Sequence, residues 1–145
     1  ITGKIIIMTT ENIIDENHIK VAVCGAHMKD LPLNPQLTAL DGKFMEATQT
    51  SPDYKLFKLN GFIPPRPGLL RVVENGSAIG LEIWQIPLKN YGEFVASIPA
   101  PLGFGTLKLA DGSLVQGFMC EAYATLDAVD ISRYGNWRNY LKESL

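Results

Sequence analysis

Leu69-Leu70-Arg71-Val72-Val73-Glu74-Asn75-Gly76-Ser77-Ala78-Ile79-Gly80-Leu81-Glu82-Ile83-Trp84-Gln85-Ile86 is the stretch from which the fold is read. Two apolar runs flank Asn75-Gly76, the dipeptide preferred in two-residue turns whose twist matches that of paired strands. The pattern predicts a hairpin of strands 69–73 and 78–86, with Val73 facing Ala78, Arg71 facing Gly80 and Leu69 facing Glu82. One face then carries Leu70, Val72, Ile79, Leu81 and Ile83, and is core. The other carries Leu69, Arg71, Gly80, Glu82 and Trp84, a cation and an anion beside a small gap and an aromatic. That face is either open to water or lines a polar pocket.

Working outward, Ile19, Val21 and Val23 alternate with Lys20, Ala22 and Cys24, a strand ending at Gly25. Asn34-Pro35 reads as an amide cap followed by proline in a first helical turn, and Leu37, Leu40 and Phe44 continue at helical spacing, predicting a helix over 35–47. Residues 54–59 alternate as a strand. Leu88, Tyr91, Phe94, Val95 and Ile98 mark a short helix closed by Pro99. Residues 105–109 and 114–118 form a second hairpin around Asp111-Gly112. Ile131, Tyr134, Trp137 and Leu141 predict a closing helix within 130–145. About six strands with two or three helices make an α+β domain, a curled, barrel-like sheet packed by helices.

Composition narrows the function classes. The chain has 145 residues, 46% of them apolar, and 13 basic against 15 acidic side chains, a formal net charge of −2. One domain with a packed core follows, with no basic surface to displace counterions from nucleic acid. No apolar run approaches the ~20 residues that span a bilayer. Cys24 and Cys120 are far apart in apolar surroundings, as expected of buried thiols in a reducing, cytoplasmic compartment. With His18 and His27 they meet the count for zinc, but no short-spaced Cys pair or His pair exists among them, so no metal is expected. The chain opens on Ile1, and Asp15, Glu16 and Asn17 interrupt the pattern. Residues 1–17 are therefore expected to be a leading arm or linker from an upstream domain, and 18–145 the domain itself.

Three places could carry chemistry. His27 stands two positions beyond the glycine that ends the first strand, where a rigid scaffold presents an exposed loop, and its imidazole exchanges protons near neutrality. A solvated or structural histidine is the plainer alternative. Arg71 and Glu82 offer a planar cation for a carboxylate, or else an ion pair on a wet face. Arg66 and Arg71 flank the Pro67-Gly68 corner, which makes an anion site there reasonable. Asn34 and Gln36 follow His27 closely at a helix start, with Asn34 expected to cap. Gly103 and Gly105 follow a helix and precede a strand, the reverse of a dinucleotide fingerprint, and no serine occupies a nucleophile elbow.

The succession Gly25-Ala26-His27, Pro32-Leu33-Asn34 with Gln36-Leu37, Pro67-Gly68-Leu69-Leu70-Arg71-Val72, Ile98-Pro99-Ala100-Pro101-Leu102-Gly103, and Asp130-Ile131-Ser132 with Gly135, Trp137 and Arg138 resembles the C-terminal domain of allophanate hydrolase, also found within urea amidolyase. The resemblance runs in order over about 19–141. It implies a gamma-glutamylcyclotransferase-like fold, with Cys24-Gly25-Ala26-His27 standing where cyclotransferases hold substrate. The cyclotransferase glutamate follows the central hairpin; Ser97-Ile98-Pro99-Ala100 stand around that point without a carboxylate, which implies a different reaction.

By the same resemblance, an upstream amidase domain converts allophanate to N-carboxycarbamate, and this domain decarboxylates that small dianion without a cofactor. His27 is then the general acid, directly or through a water, Arg71 the carboxylate clamp and Glu82 the residue that orients Arg71. Gly25, Ala26 and Asn34 would supply polar contacts. The alternative from another class is a non-catalytic structural or dimerisation module of the same enzyme, with a homodimer interface on a hairpin face or around Trp137.

Overall fold

The computed structural model describes residues 13–15 and 17–144. Most of the expected leading arm, residues 1–12 and 16, lies outside the described residues; its stretch Ile13–Asp15 is strand β1 and pairs antiparallel with the next strand. The other strands are β2 (His18–Val23), β3 (Lys43–Gln49), β4 (Tyr54–Lys58), β5 (Pro67–Arg71), β6 (Gly80–Pro87), β7 (Leu102–Lys108), β8 (Leu114–Cys120) and β9 (Val129–Asp130). The helices are α1 (Asn34–Thr38), α2 (Leu88–Ala96) and α3 (Trp137–Glu143). The architecture is mixed α+β, built from two sheets rather than one closed barrel. The larger sheet runs β3-β6-β2-β8-β7 with β1 added on β2; the smaller runs β5-β4-β9.

The hairpin expected around Asn75-Gly76 does not form. β5 pairs antiparallel with β4, Leu69 opposite Leu56 and Arg71 opposite Tyr54, while β6 lies between β2 and β3 in the other sheet. The chain only bends there: Asn75 is left-handed at φ 59° but Gly76 is not, so the two-residue turn is not made either. The bend delivers Ser77 to Tyr54, with which it exchanges two backbone hydrogen bonds of 3.2 and 2.7 Å, instead of setting Ala78 against Val73. Val73 is fully exposed at 102%. Burial, not local turn chemistry, chose the partners. Leu69, assigned to the polar face, is 1% exposed against Leu56 in the smaller sheet, and Leu70 and Val72 are only half-buried. Ile79, Leu81 and Ile83 are core as expected, and Glu82 and Trp84 are buried too, because β6 is an interior strand covered on both faces.

The helix predicted over 35–47 is also shorter than its apolar spacing suggests. Asp41 turns left-handed at φ 63°, and the Gly42 N–H returns to the Leu37 carbonyl at 2.9 Å, a helix-ending arrangement. Residues from Lys43 onward become the edge strand β3, where Phe44 meets the Trp84 ring edge to face at 5.8 Å. Asn34 is the first helical residue and makes no capping bond; Leu33 occupies the cap position. The predicted closing helix is split: a 3₁₀ turn at Ser132–Tyr134, left-handed Gly135 at φ 80°, then α3, capped by Asn136, which accepts the Asn139 N–H at 2.8 Å. The strand at β2, the helix at α2 and the β7–β8 hairpin match their predictions, the last in a register that pairs Thr106 with Gln116. Among the described residues no helix is long and apolar enough to cross a membrane.

Candidate functional site

β2 is flanked by β6 and β8, so its end is rigid, and Gly25 follows one residue beyond Cys24. A side chain on Gly25 would run into Pro67 Cδ; glycine lets the loop after β2 lie directly against the start of β5. The loop is tied by its own bonds: Met28 N–H to the Gly25 carbonyl at 3.0 Å, and Leu33 N–H to the Ala26 carbonyl at 2.8 Å. Asn34 is buried and donates through Nδ2 to the His27 carbonyl at 2.9 Å. Asn34 thus shapes the loop from behind.

His27 is 4% exposed. Its ring stacks on Phe118 at 4.9 Å and meets Phe94 edge on at 5.5 Å, while Nε2 lies 2.7 Å from Gln36 Oε1. With that oxygen accepting, Nε2 carries the proton and Nδ1 keeps a lone pair. Burial among the rings pulls the imidazole pKa down to about 4; the Gln36 hydrogen bond opposes this, and the positive charge of Arg66 reinforces it. The ring is neutral at pH 7.

Gly25, Ala26 and His27 line a hollow with Arg66, Leu102 and Phe118. Its volume is about 20 Å³, room for one water molecule. Arg66 stands on the Phe62 ring at 5.2 Å, and its Nε is buried without a hydrogen-bond partner among the described residues. Such an unpaired donor costs free energy unless a ligand or water satisfies it. Cys24 also lines the hollow, and both it and Cys120 are buried and free; burial pushes their thiols up to about 12 and about 11. Among the described residues no three His, Cys, Asp or Glu side chains converge as a metal requires.

Of the residues picked from sequence, the structure brings Gly25, Ala26 and His27 to one hollow and sets Asn34 behind it. Arg71 is elsewhere: exposed, with its guanidinium over the Tyr54 ring at 5.9 Å. Glu82 does not orient Arg71. Its carboxylate pairs with Arg138 at 2.8 Å and also accepts the Lys29 N–H at 2.8 Å and the Trp84 indole N–H at 3.1 Å. Placing Arg71 beside Glu82 depended on the hairpin that does not form. The cation at the hollow is Arg66, on the other side of the same Pro67-Gly68 corner, a position the sequence marks only by its proximity to that corner. The helix after β6 does hold one carboxylate, Glu93, but it is exposed, and its neighbour Phe94 is the residue that turns toward His27.

A family profile described as the allophanate hydrolase C-terminal domain matches residues 19–142. The chain belongs to that family. Urea amidolyases of Lachancea kluyveri and Saccharomyces cerevisiae are 41% and 42% identical over 90% and 86% of the chain, which spans 7% of the length of each. The allophanate hydrolase structure of Kluyveromyces lactis superposes with a TM-score of 0.85 at 38% identity, over 89% of this chain and 22% of that one. A uropathogenic E. coli-specific protein matches with a TM-score of 0.81 at 37% identity, over 86% of this chain and 96% of that one, so a chain of about this size adopts the fold by itself. An uncharacterized protein of Pyrococcus horikoshii shares the fold alone, at 14% identity and a TM-score of 0.66.

Proposed function

We propose that this domain decarboxylates N-carboxycarbamate, the dianion that an amidase releases from allophanate. The observation that carries the reading is the meeting of one imidazole and one arginine, whose buried Nε lacks a partner among the described residues, around a single hollow. Arg66 binds one carboxylate of the substrate; the Gly25–Ala26 loop lines the hollow beside it, together with Leu102 and Phe118. The hollow holds only about one water molecule, so the guest enters by displacing a wall.

The low pKa of His27 suits this order of events. Before substrate binds, the ring is neutral and Arg66 disfavours its protonation. A dianion beside it reverses the local charge, so the imidazole takes up a proton together with the guest. As CO2 departs, the C–N bond breaks, its electron pair stays on nitrogen, and the His27 proton forms the new N–H bond. Carbamate and CO2 are the products, and the neutral ring is restored.

The test is CO2 release from N-carboxycarbamate made in situ by an amidase acting on allophanate. His27→Asn is expected to slow the catalysed phase about 10²–10⁴-fold, the usual share of a general acid. A rate equal to the parent's removes the acid role, and a parent no faster than the spontaneous reaction leaves the non-catalytic module as the reading.

A further inference from the structure

We propose that the Glu82–Arg138 ion pair is a positioning device that grips residue 29 by both of its backbone groups and so fixes the loop carrying His27. Glu82 lies within β6 and is 7% exposed, and Arg138 enters 56 residues later from the first turn of α3. Oε1 of Glu82 accepts the Lys29 N–H at 2.8 Å; Oε2 accepts Arg138 Nη2 at 2.8 Å. The same Nη2 donates to the Lys29 carbonyl at 2.6 Å. One ion pair therefore closes a ring through the backbone of a residue two positions beyond His27. The position needs holding: Lys29 is exposed, and Asp30 after it is left-handed at φ 65°. An exposed ion pair contributes little on its own, but here the carboxylate is buried and takes a third hydrogen bond from Trp84, so its place is set by the sheet. Neither partner lines the hollow, so the pair acts through the loop and does not touch substrate.

The kinetic part rests on the decarboxylase reading; the structural part does not. Two measurements on the chain separate them: amide hydrogen exchange at Lys29 relative to Val21 in β2, and kcat and KM for CO2 release. Arg138→Met is expected to speed exchange at Lys29 about tenfold while Val21 is unchanged, since only the loop is released. The same variant lowers kcat about tenfold and leaves KM within about twofold, because Arg66 stands on a different segment while the acid is misplaced. Arg138→Lys, which restores a donor and the charge, is expected to recover most of both effects. Should Arg138→Met fail to fold, Glu82→Gln gives the same readings, as it keeps the side-chain volume but turns an uncharged NH2 donor toward Arg138 and so breaks the pair. Unchanged exchange at Lys29, or equal acceleration at Lys29 and Val21, overturns the proposal by reducing the pair to a general tie between α3 and the sheet. Faster Lys29 exchange in Arg138→Met, with no catalysed CO2 release by the parent chain, upholds the loop clamp and overturns the decarboxylase reading alone.

Discussion

His27 holds its neutral state against an ordinary titration near pH 6.5 because Phe118 and Phe94 cover the two sides where water would solvate a cation. That has a consequence for stability with a definite sign. Between pH 6.5 and about 4 the unfolded chain binds a proton that the folded chain refuses, so stability is complete above this window and falls as pH drops through it. A shift from 6.5 to about 4 corresponds to a loss on the order of 3 kcal/mol across the window. His27→Gln removes the titrating group, and urea unfolding at pH 7 and pH 4 is expected to show the variant losing less stability than the parent by about that amount. Equal losses would mean that other groups govern the acid limb. That His27 sits in a loop just beyond β2 was legible in the sequence, from a strand signal ending in Gly25, although the loop expected to be exposed is buried there. The neutrality of the ring was not, because the rings that impose it come from α2 and β8, far along the chain.

Secondary structure was legible where it is local and obscure where partners are distant. β2, α2 and the β7–β8 hairpin follow from alternation, helical spacing and a tight turn, all within one window of sequence. The strands on either side of Asn75-Gly76 carried equally good local signals, yet they serve different sheets, because Leu69 buries against Leu56 and β6 fills the gap between β2 and β3. The same pairing takes Arg71 away from Glu82 and leaves Arg66 as the arginine at the hollow. The residues after α1 show the same ambiguity, as Leu37, Leu40 and Phe44 fit a helix, and the edge strand is decided by the reversal at Asp41. A non-glycine residue at φ 63° pays a steric cost that glycine avoids. Asp41→Gly is therefore expected to stabilise the fold by about 0.5–1 kcal/mol, seen as a higher urea midpoint with an unchanged slope. A lower midpoint would show that Asp41 makes a contribution beyond its backbone angle.

At the scale of the molecule, the hollow sits where the two sheets meet: Gly25 to His27 extend from β2 in the larger, Arg66 and Pro67 open β5 in the smaller, and Phe118 belongs to β8. A dianion bound between His27 and Arg66 would join the sheets, so it stabilises the whole fold and not just one loop. Malonate has two carboxylates one atom apart, the geometry of N-carboxycarbamate, and cannot react by the same C–N cleavage. At a hundredfold excess over its dissociation constant it should add about 2.7 kcal/mol, or about 5–10 °C in Tm for a domain of this size. The two arginines flanking the Pro67-Gly68 corner then give opposite outcomes. Arg66→Met removes the cation at the hollow and should abolish the malonate shift, whereas Arg71→Met removes a guanidinium that rests on Tyr54 and should leave it intact. A shift that survives Arg66→Met and is lost in Arg71→Met would move the anion site to the outer face of the smaller sheet, and with it the substrate would part from His27.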